Sequence, residues 1–374
     1  MNILRRLSLS RLLLLCGVVV AVGVSATALA SAVGSGPTPP LKPLALAVHD
    51  ALRSPSVEGL SATVKLTDHL LEGANLASGD GEASQLSSSP LLSGASGRLW
   101  IAKDGRVRLE LQSEKGDTQI LYDGHTVSLY DGSTNTLYRY TIPAHAGGAS
   151  AADGSGGGTA ADHHEPPTVA KIEEAISHLQ RHANVSGATP TDVAGQAAYT
   201  VRISPNEGGS LFGRAELSWD AVHGVPLRAA IYSSTGPAPV IELAASEVSY
   251  GPVADSVLNF TPPPGAKIEE VSTPGQDSAK QPAPSAGAHS HPKVTTQGHG
   301  VAGIAVIESA IQPGGKRPPA NLPAGLPKVN INGVSATELA TSLGTLLSFE
   351  RSGVRYLLAG SVTPAAIEAV ARGL

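Results

Sequence analysis

The order of apolar and polar positions along the chain predicts a protein built mostly of strands. The clearest alternation lies in residues 106–112, RVRLELQ, where Val107, Leu109 and Leu111 share one face and two arginines and a glutamate share the other. A period of two with a single apolar face is typical of a half-buried strand. We therefore expect a sheet with one packed face and one wet face.

Residues 97–142 contain five apolar runs in succession, separated by turn-forming residues. Asp-Gly pairs begin at Asp104, Asp123 and Asp131. Asp-Gly suits the left-handed backbone of a tight hairpin, so the pattern predicts a consecutive antiparallel meander. Further strands are predicted at residues 60–67, 197–204, 213–220, 227–234 and 240–250.

Three amphipathic helices interrupt the strands. Apolar residues recur at helical spacing in residues 44–53, after Pro43, and again in residues 168–183, where Thr168 is placed to cap the first turn. Thr363-Pro364 predicts the start of a closing helix whose Ile367, Val370 and Ala371 face one way.

Low-complexity segments divide the chain. Residues 144–167, rich in Gly, Ala and His, predict a disordered insertion, and residues 272–300 predict a disordered linker. We expect one large domain over residues 40–271 and a small α+β module over residues 301–374, which includes a hairpin at Ser352-Gly353.

Residues 1–32 are typical of an export signal. Basic residues precede an apolar run, which closes on Ala28-Leu29-Ala30, the small-x-small pattern of a cleavage site. The alternative is an uncleaved membrane anchor, since the apolar run is long enough to span a bilayer. Cys16 does not complete a lipidation motif, because Leu15 stands where a small residue is needed. Either way we expect an extracytoplasmic location.

The chemistry-bearing residues predict neither an enzyme nor a metal protein. The chain has one cysteine, in the leader, and no G-x-S-x-G motif. Histidines that could ligate a metal lie in low-complexity segments without ligand spacing: His163, His164, His289, His291 and His299. A formal net charge of −5 without a basic stripe argues against nucleic acid as a partner. We expect no cofactor.

Several ordered segments resemble one known superfamily. GRLWIAKDGRVRLELQ, YDGHTVSLYDGSTNTLYRY, AGQAAYTVRISP, SWDAVHGVPLRAAIY and NFTPPPGAKIEE, within residues 44–271, stand in the order found in LolA-like lipoprotein-sorting proteins, which include sigma-E regulatory proteins of the RseB/MucB type. The resemblance implies an α+β fold: a curved antiparallel sheet, or incomplete β-barrel, with a helical lid. It implies an apolar cavity for acyl chains and no catalysis.

On this basis we expect a set of apolar residues to line the lipid cavity: Val107, Leu109, Leu111, Ile120, Val127, Leu129 and Leu217. Carriers of the superfamily close the lid with an arginine at the position that matches Lys103. A lysine offers a point charge in place of a planar fork of donors, which argues against a ligand-driven lid switch.

The four tyrosines of residues 120–140 are expected at the rim of this sheet. A ring at a strand end can cover apolar surface while its hydroxyl stays in water.

The sequence as a whole predicts an exported, non-enzymatic binder of lipids or lipoprotein acyl chains. The alternative is an envelope-stress regulator that binds a membrane anti-sigma factor, which the additional C-terminal module would suit.

Overall fold

A computed structural model describes residues 36–72, 74, 90–114, 116–142, 166–271, 293–311, 322 and 325–374. The predicted leader and nearly all of the predicted insertion at 144–167 lie outside the described residues, as do residues 272–292 of the predicted linker. No helix in the described ranges is long and apolar enough to cross a membrane.

The bounds of the elements are as follows. The first half contains α1 (Leu44–Arg53), β1 (Gly59–Asp68), α2 (Pro90–Ser93), β2 (Ala95–Ala102), β3 (Val107–Ser113), β4 (Gly116–Tyr122), β5 (Thr126–Asp131), β6 (Thr136–Thr141) and α3 (Val169–Leu179). Then follow β7 (Ala183–Val185), β8 (Thr189–Val193), β9 (Gln196–Pro205), β10 (Phe212–Asp220), β11 (Pro226–Ser233), β12 (Pro239–Tyr250), α4 (Asp255–Leu258) and β13 (Lys267–Glu270). The last part contains β14 (Lys293–Gln297), β15 (Ile304–Ala310), β16 (Lys328–Ile331), β17 (Val334–Thr341), β18 (Gly344–Arg351), β19 (Val354–Gly360) and α5 (Pro364–Arg372).

The first 13 strands form one large open sheet. Its order is β13-β6-β5-β4-β3-β2-β1-β12-β11-β10-β9-β7, with β8 also paired to β9. Every pair is antiparallel except β13 with β6. The predicted meander is confirmed, because β2 to β6 follow one another in space as in sequence. Among the described residues the end strands β13 and β7 do not pair, so the curved sheet is not closed into a barrel.

The helices follow the predicted pattern with one difference. Helix α1 has the predicted bounds, and Thr168 Oγ1 accepts a hydrogen bond from the Lys171 backbone N–H at 3.4 Å as the cap of α3. Helix α3 ends at Leu179 and not at residue 183. The reason is that residues 183–185 form β7, whose pairing with β9 competes with a longer helix.

The second module is a six-stranded sheet covered on one face by α5. Its order is β14-β15-β19-β18-β17-β16. Ile367 and Ala371 of α5 are fully buried against Leu347 and Leu358 of this sheet. Strand β14 begins inside the segment that composition assigned to the linker, because residues 293–297 pair with β15.

Hydrogen bonds join the two modules at two places. Ser361 accepts at its backbone oxygen from the Leu211 N–H at 2.7 Å, and its hydroxyl oxygen lies 3.1 Å from the Phe212 N–H. Ser342 donates from its N–H to the Leu70 carbonyl and from its hydroxyl to the His69 carbonyl, both at 2.9 Å. A small apolar cluster that includes Ala74, Leu326 and Leu339 lies beside the second place.

The outer face of the large sheet carries a buried ion-pair network on β10 to β12. Glu216, which is 7% exposed, accepts hydrogen bonds from Arg228 at 2.9 Å and from the Tyr232 hydroxyl at 3.0 Å. Arg228 also donates to Glu242 at 2.6 Å. The Arg214 guanidinium lies 3.6 Å from the centre of the Tyr232 ring, a favourable cation–π contact. Burial opposes ionisation of Glu216, but the donors outweigh it and hold the pKa of Glu216 at about 2.

We expect Glu216→Gln to lower the free energy of unfolding by about 2 to 3 kcal/mol near neutral pH, because the arginine partners lose a buried counter-charge. The pKa of Glu216 is lower in the folded state, so its contribution is complete above the ordinary pKa of 4.5 and disappears as the pH falls toward about 2. Denaturant unfolding between pH 7 and pH 2 measures this.

The difference in unfolding free energy between wild type and variant at each pH isolates the contribution of Glu216. Other carboxylates with shifted pKa values cancel in this difference, such as Asp68, where burial raises the pKa to about 6. Glu247→Gln is the control, because Glu247 is exposed on β12. A variant difference that stays constant down to pH 2 would contradict the assignment.

Candidate apolar binding site

All seven predicted cavity residues lie on one face of the large sheet, which we call the inner face. Leu109 pairs with Ile120, and Ile120 pairs with Leu129. Cross-strand partners share a face, so these three side chains lie in one row. The same row-by-row pairing reaches Leu217 through Leu66, Leu243 and Ala229. The face assignment made from the alternation in β3 is therefore confirmed.

The centre of the inner face is closed by the protein's own side chains. Leu109 and Leu111 are each 1% exposed, and they belong to a core cluster with Leu99 of β2 and Leu60 and Val64 of β1. Val107 and Ile120 are half-buried and pack against this cluster. These positions carry the fold, so Leu109 and Leu111 contribute walls and not open space.

The apolar surface continues as a half-buried band, which we call the flank strip: Ile120, Val127, Leu129, Tyr138 and Tyr140. The register places Leu129 between Ile120 and Tyr138, and Val127 opposite Tyr140. These residues fall outside the core clusters of the described chain, apart from Ile120, which packs at the edge of one. The flank strip therefore combines apolar character with accessibility.

Leu217 marks the opposite side of the inner face. Its side chain is 37% exposed, although its cross-strand partner Val201 is buried. Val201 belongs to a cluster with Tyr199 and Trp219, against which Ala47 of α1 is buried. Leu217 thus lies at the edge of the surface that α1 covers.

Helix α1 is held over β9 and β10 by close contacts. The Tyr199 hydroxyl donates to the Pro40 carbonyl at 2.6 Å, just before the helix. Gly224, in the turn between β10 and β11, has φ +68, and a Cβ there would lie 2.3 Å from the Ala51 carbonyl oxygen of α1. Helices α1 and α3 contact one another. Helix α1 therefore lies over one side of the inner face, with α3 beside it.

Buried polar atoms accompany this helix contact. The Trp219 indole N–H and the His49 Nδ1 atom are buried without a hydrogen-bond partner in the described residues. Next to Trp219, Asp220 accepts from the Tyr250 hydroxyl at 2.7 Å, and the Tyr250 ring lies 3.9 Å from that of His223. Burial and the hydrogen bond to Asp220 raise the pKa of Tyr250. Sequence reasoning missed Tyr199 and Trp219, although their two-residue spacing from Val201 and Leu217 places them on the same face.

Lys103 lies in the turn between β2 and β3. Its side chain is 56% exposed and forms an ion pair with Glu58 at 2.5 Å. In the described part of the chain, no hydrogen bond or ion pair joins Lys103 to α1 or α3. The role in lid closure that the resemblance assigned to this position stays a prediction.

The four tyrosines divide between the two faces. Tyr122, Tyr138 and Tyr140 lie on the inner face in register with the flank strip, which fits the predicted rim. Tyr130 does not, because it is buried on the outer face, 5.3 Å from the Phe260 ring, and its hydroxyl donates to Asn135 at 2.9 Å. The prediction of a wet hydroxyl was wrong for Tyr130, since the segment after α4 crosses over the sheet there.

The outer face is also less wet than the alternation predicted. Arg108 donates to the carbonyl oxygens of Val257 at 2.7 Å and Asn259 at 3.2 Å, in the same crossing segment.

Within the described ranges no group of three or more His, Cys, Asp or Glu residues is placed to hold a metal ion. His163, His164, His289 and His291 lie outside those ranges, and His299 is 86% exposed.

We expect Gly224→Ala to loosen α1, because the new methyl group collides with the Ala51 carbonyl and the backbone conformation is strained as well. Gly195→Ala is a matched control, since Gly195 has φ +73 and open space around it. The control should lose about 1 to 2 kcal/mol of stability. Gly224→Ala should lose about 2 kcal/mol more. It should also speed amide exchange in residues 44–53, and equal exchange in both variants would contradict the contact.

Comparisons with known proteins return solved structures of low similarity. No family model matches the sequence, and no curated protein matches it. The complex of MucA and MucB from Pseudomonas aeruginosa is similar at a TM-score of 0.41 and 15% identity, over 87% of this chain and 95% of that chain. An uncharacterized conserved protein from Thermus thermophilus gives 0.34 and 12%, over 61% and 97%.

A LolA superfamily protein from Nitrosomonas europaea gives a TM-score of 0.21 and 10% identity, over 58% of this chain and 96% of that chain. The solved structures that are similar at this low level include a protein of the superfamily that the sequence resemblance named. Since every one of these TM-scores is below 0.5, the function rests on the contacts of this chain.

Proposed function

We propose that the chain is an exported, non-enzymatic binder of lipids or of lipoprotein acyl chains, and that the ligand lies on the inner face along the flank strip. The observation that carries the proposal is the half-buried apolar band of Val127, Leu129 and Tyr138 beside a closed core. A ligand on this band would pack beside the closed core and continue its apolar contacts.

The energetics suit an acyl chain. Moving one methylene out of water is worth about 0.8 kcal/mol, so a chain of about fifteen methylenes has a gross driving force of about 12 kcal/mol. The charged side chains of β3 and β6, Arg108, Glu110 and Arg139, point to the outer face by their register. The flank strip therefore needs no charged anchor for an acyl chain, and the ordering costs of binding are met from apolar contact alone.

A regulator that binds a membrane anti-sigma factor is the second candidate. The observation that favours it is the second module, which is docked on the large sheet through Ser361 and Ser342 and so enlarges the surface available to a protein partner. Titration of the purified protein with the extracytoplasmic part of an anti-sigma factor from the same genome tests it. Saturable binding that lipid does not affect would favour the regulator over the carrier.

Extraction of natively purified protein with organic solvent, followed by mass spectrometry, tests the lipid proposal directly. We expect bound acyl species in the extract. A folded sample that yields no acyl species and does not bind a fluorescent fatty acid would contradict the proposal.

Leu129→Gln should weaken binding of a fluorescent fatty acid about tenfold, because a polar amide replaces apolar contact area. Leu121→Gln is the matched control, since Leu121 is also a half-buried leucine of the same hairpin but faces the outer side. The control should bind as wild type does. Equal weakening in both variants would place the ligand elsewhere.

A further inference from the structure

A second apolar feature lies between the two modules and takes no part in the flank strip. We call it the inter-module groove, with a volume of about 430 Å³. Six leucines line it, three from each module: Leu70, Leu71, Leu92, Leu339, Leu343 and Leu346. Five of them are half-buried, and Leu339 is buried.

The groove is the open continuation of the apolar contact that joins the modules. Leu339, with Leu71 and Leu346 packed beside it, belongs to the cluster that contains Ala74 and Leu326. Short helix α2 links the groove to the large sheet, because Leu91 packs on the central core while the next residue, Leu92, lines the groove. A ligand in the groove would therefore contact both modules at once.

The three hydroxyl groups that line the groove in the described chain already donate hydrogen bonds within the protein. The Thr341 hydroxyl donates to the Gly344 carbonyl at 2.8 Å, and the Thr345 hydroxyl donates to the Val362 carbonyl at 2.8 Å. The Ser361 hydroxyl donates to the Leu343 carbonyl at 2.6 Å. A peptide in extended conformation would lose hydrogen bonds to water here without replacement, which is costly, whereas an alkyl chain has none to lose.

The size of the groove agrees with this choice. A groove of about 430 Å³ has room for part of an alkyl chain. None of the lining residues that the structure describes carries a charged side chain. The geometry points to a binding site for a single acyl chain in the inter-module groove, separate from the flank strip. The acyl chain bound in this groove contacts both modules and holds them together.

Site-mapped photo-crosslinking of the full chain tests this site. The probe is palmitic acid with a diazirine at the end of its chain, and adducts are located by peptide mass spectrometry. We expect adducts on residues 339–346 and on residues 70–71 or 92, with unlabelled palmitic acid in excess suppressing them. The flank strip lies on residues 120–140, so the same map separates failure of this site from failure of the proposed function.

A pair of variants sharpens the test. Leu346→Asn should reduce groove adducts about tenfold and leave those on the flank strip unchanged. Leu357→Asn is the matched control, because Leu357 is a half-buried leucine of neighbouring β19 that does not line the groove. Circular dichroism spectra check that both variants are folded.

Two outcomes would overturn the inference. Adducts confined to residues 120–140, or absent altogether, would show that no acyl chain enters the groove. Absent adducts, together with crosslinks from photo-leucine in the groove to polypeptide of this chain or of a second copy, would show that polypeptide fills the groove instead.

Discussion

The strand register of the large sheet is the constraint on which the rest of the structure depends. A shift of one residue would turn every apolar side chain of a strand to the other face. A bulge in β12 protects the register against β1, because Thr63 pairs with Glu247 and Val64 with Ala245, which leaves Ser246 as the extra residue. Leu66 consequently meets Leu243 on the inner face. Since bulges also increase local twist, the same residue that preserves the face contributes to the curvature of an open sheet.

The two faces of this sheet differ in the interactions that stabilise them. The inner face is closed at its centre by Leu109, Leu111 and their neighbours, and this closure stabilises the fold. The outer face is charged, yet its charges are buried in pairs, as Glu216 with Arg228, or covered by chain, as Arg108 beneath Val257 and Asn259. Such buried networks depend on every partner. Removing one carboxylate leaves a buried arginine charge without compensation, and this destabilises the fold far more than the intact pair stabilises it. The outer face therefore presents charged groups that are already paired, whereas the inner face presents apolar side chains.

Much of this architecture could be predicted from the sequence because local signals agreed with one another. Alternation in β3 and the Asp-Gly turns gave the meander, and Thr168 and Thr363-Pro364 gave helix starts that the structure reproduces. What could not be predicted depends on residues distant in sequence. Tyr130 and Arg108 are covered by the segment after α4, more than a hundred residues later, and the linker boundary at residue 293 depends on pairing with β15. The predicted cavity residues share one face, and their role in binding stays a prediction, because a pattern cannot tell which of them the core closes over.

That last distinction depends on what covers each part of the inner face. Helix α1 covers β9 and β10 through Tyr199, Val201 and Trp219, and α3 contacts α1 and β7, so this end of the inner face gains its burial from the protein itself. Among the described helices, α2 reaches β1, β3 and β4 but has only four residues, too few to cover β5 and β6 as well. Val127 and Leu129 thus keep an apolar surface that costs free energy in water and that no described helix relieves. A fold that encloses Leu109 to 1% exposure while leaving Leu129 half-buried has its unfilled apolar contact on β5, and this is where the proposed function places the ligand.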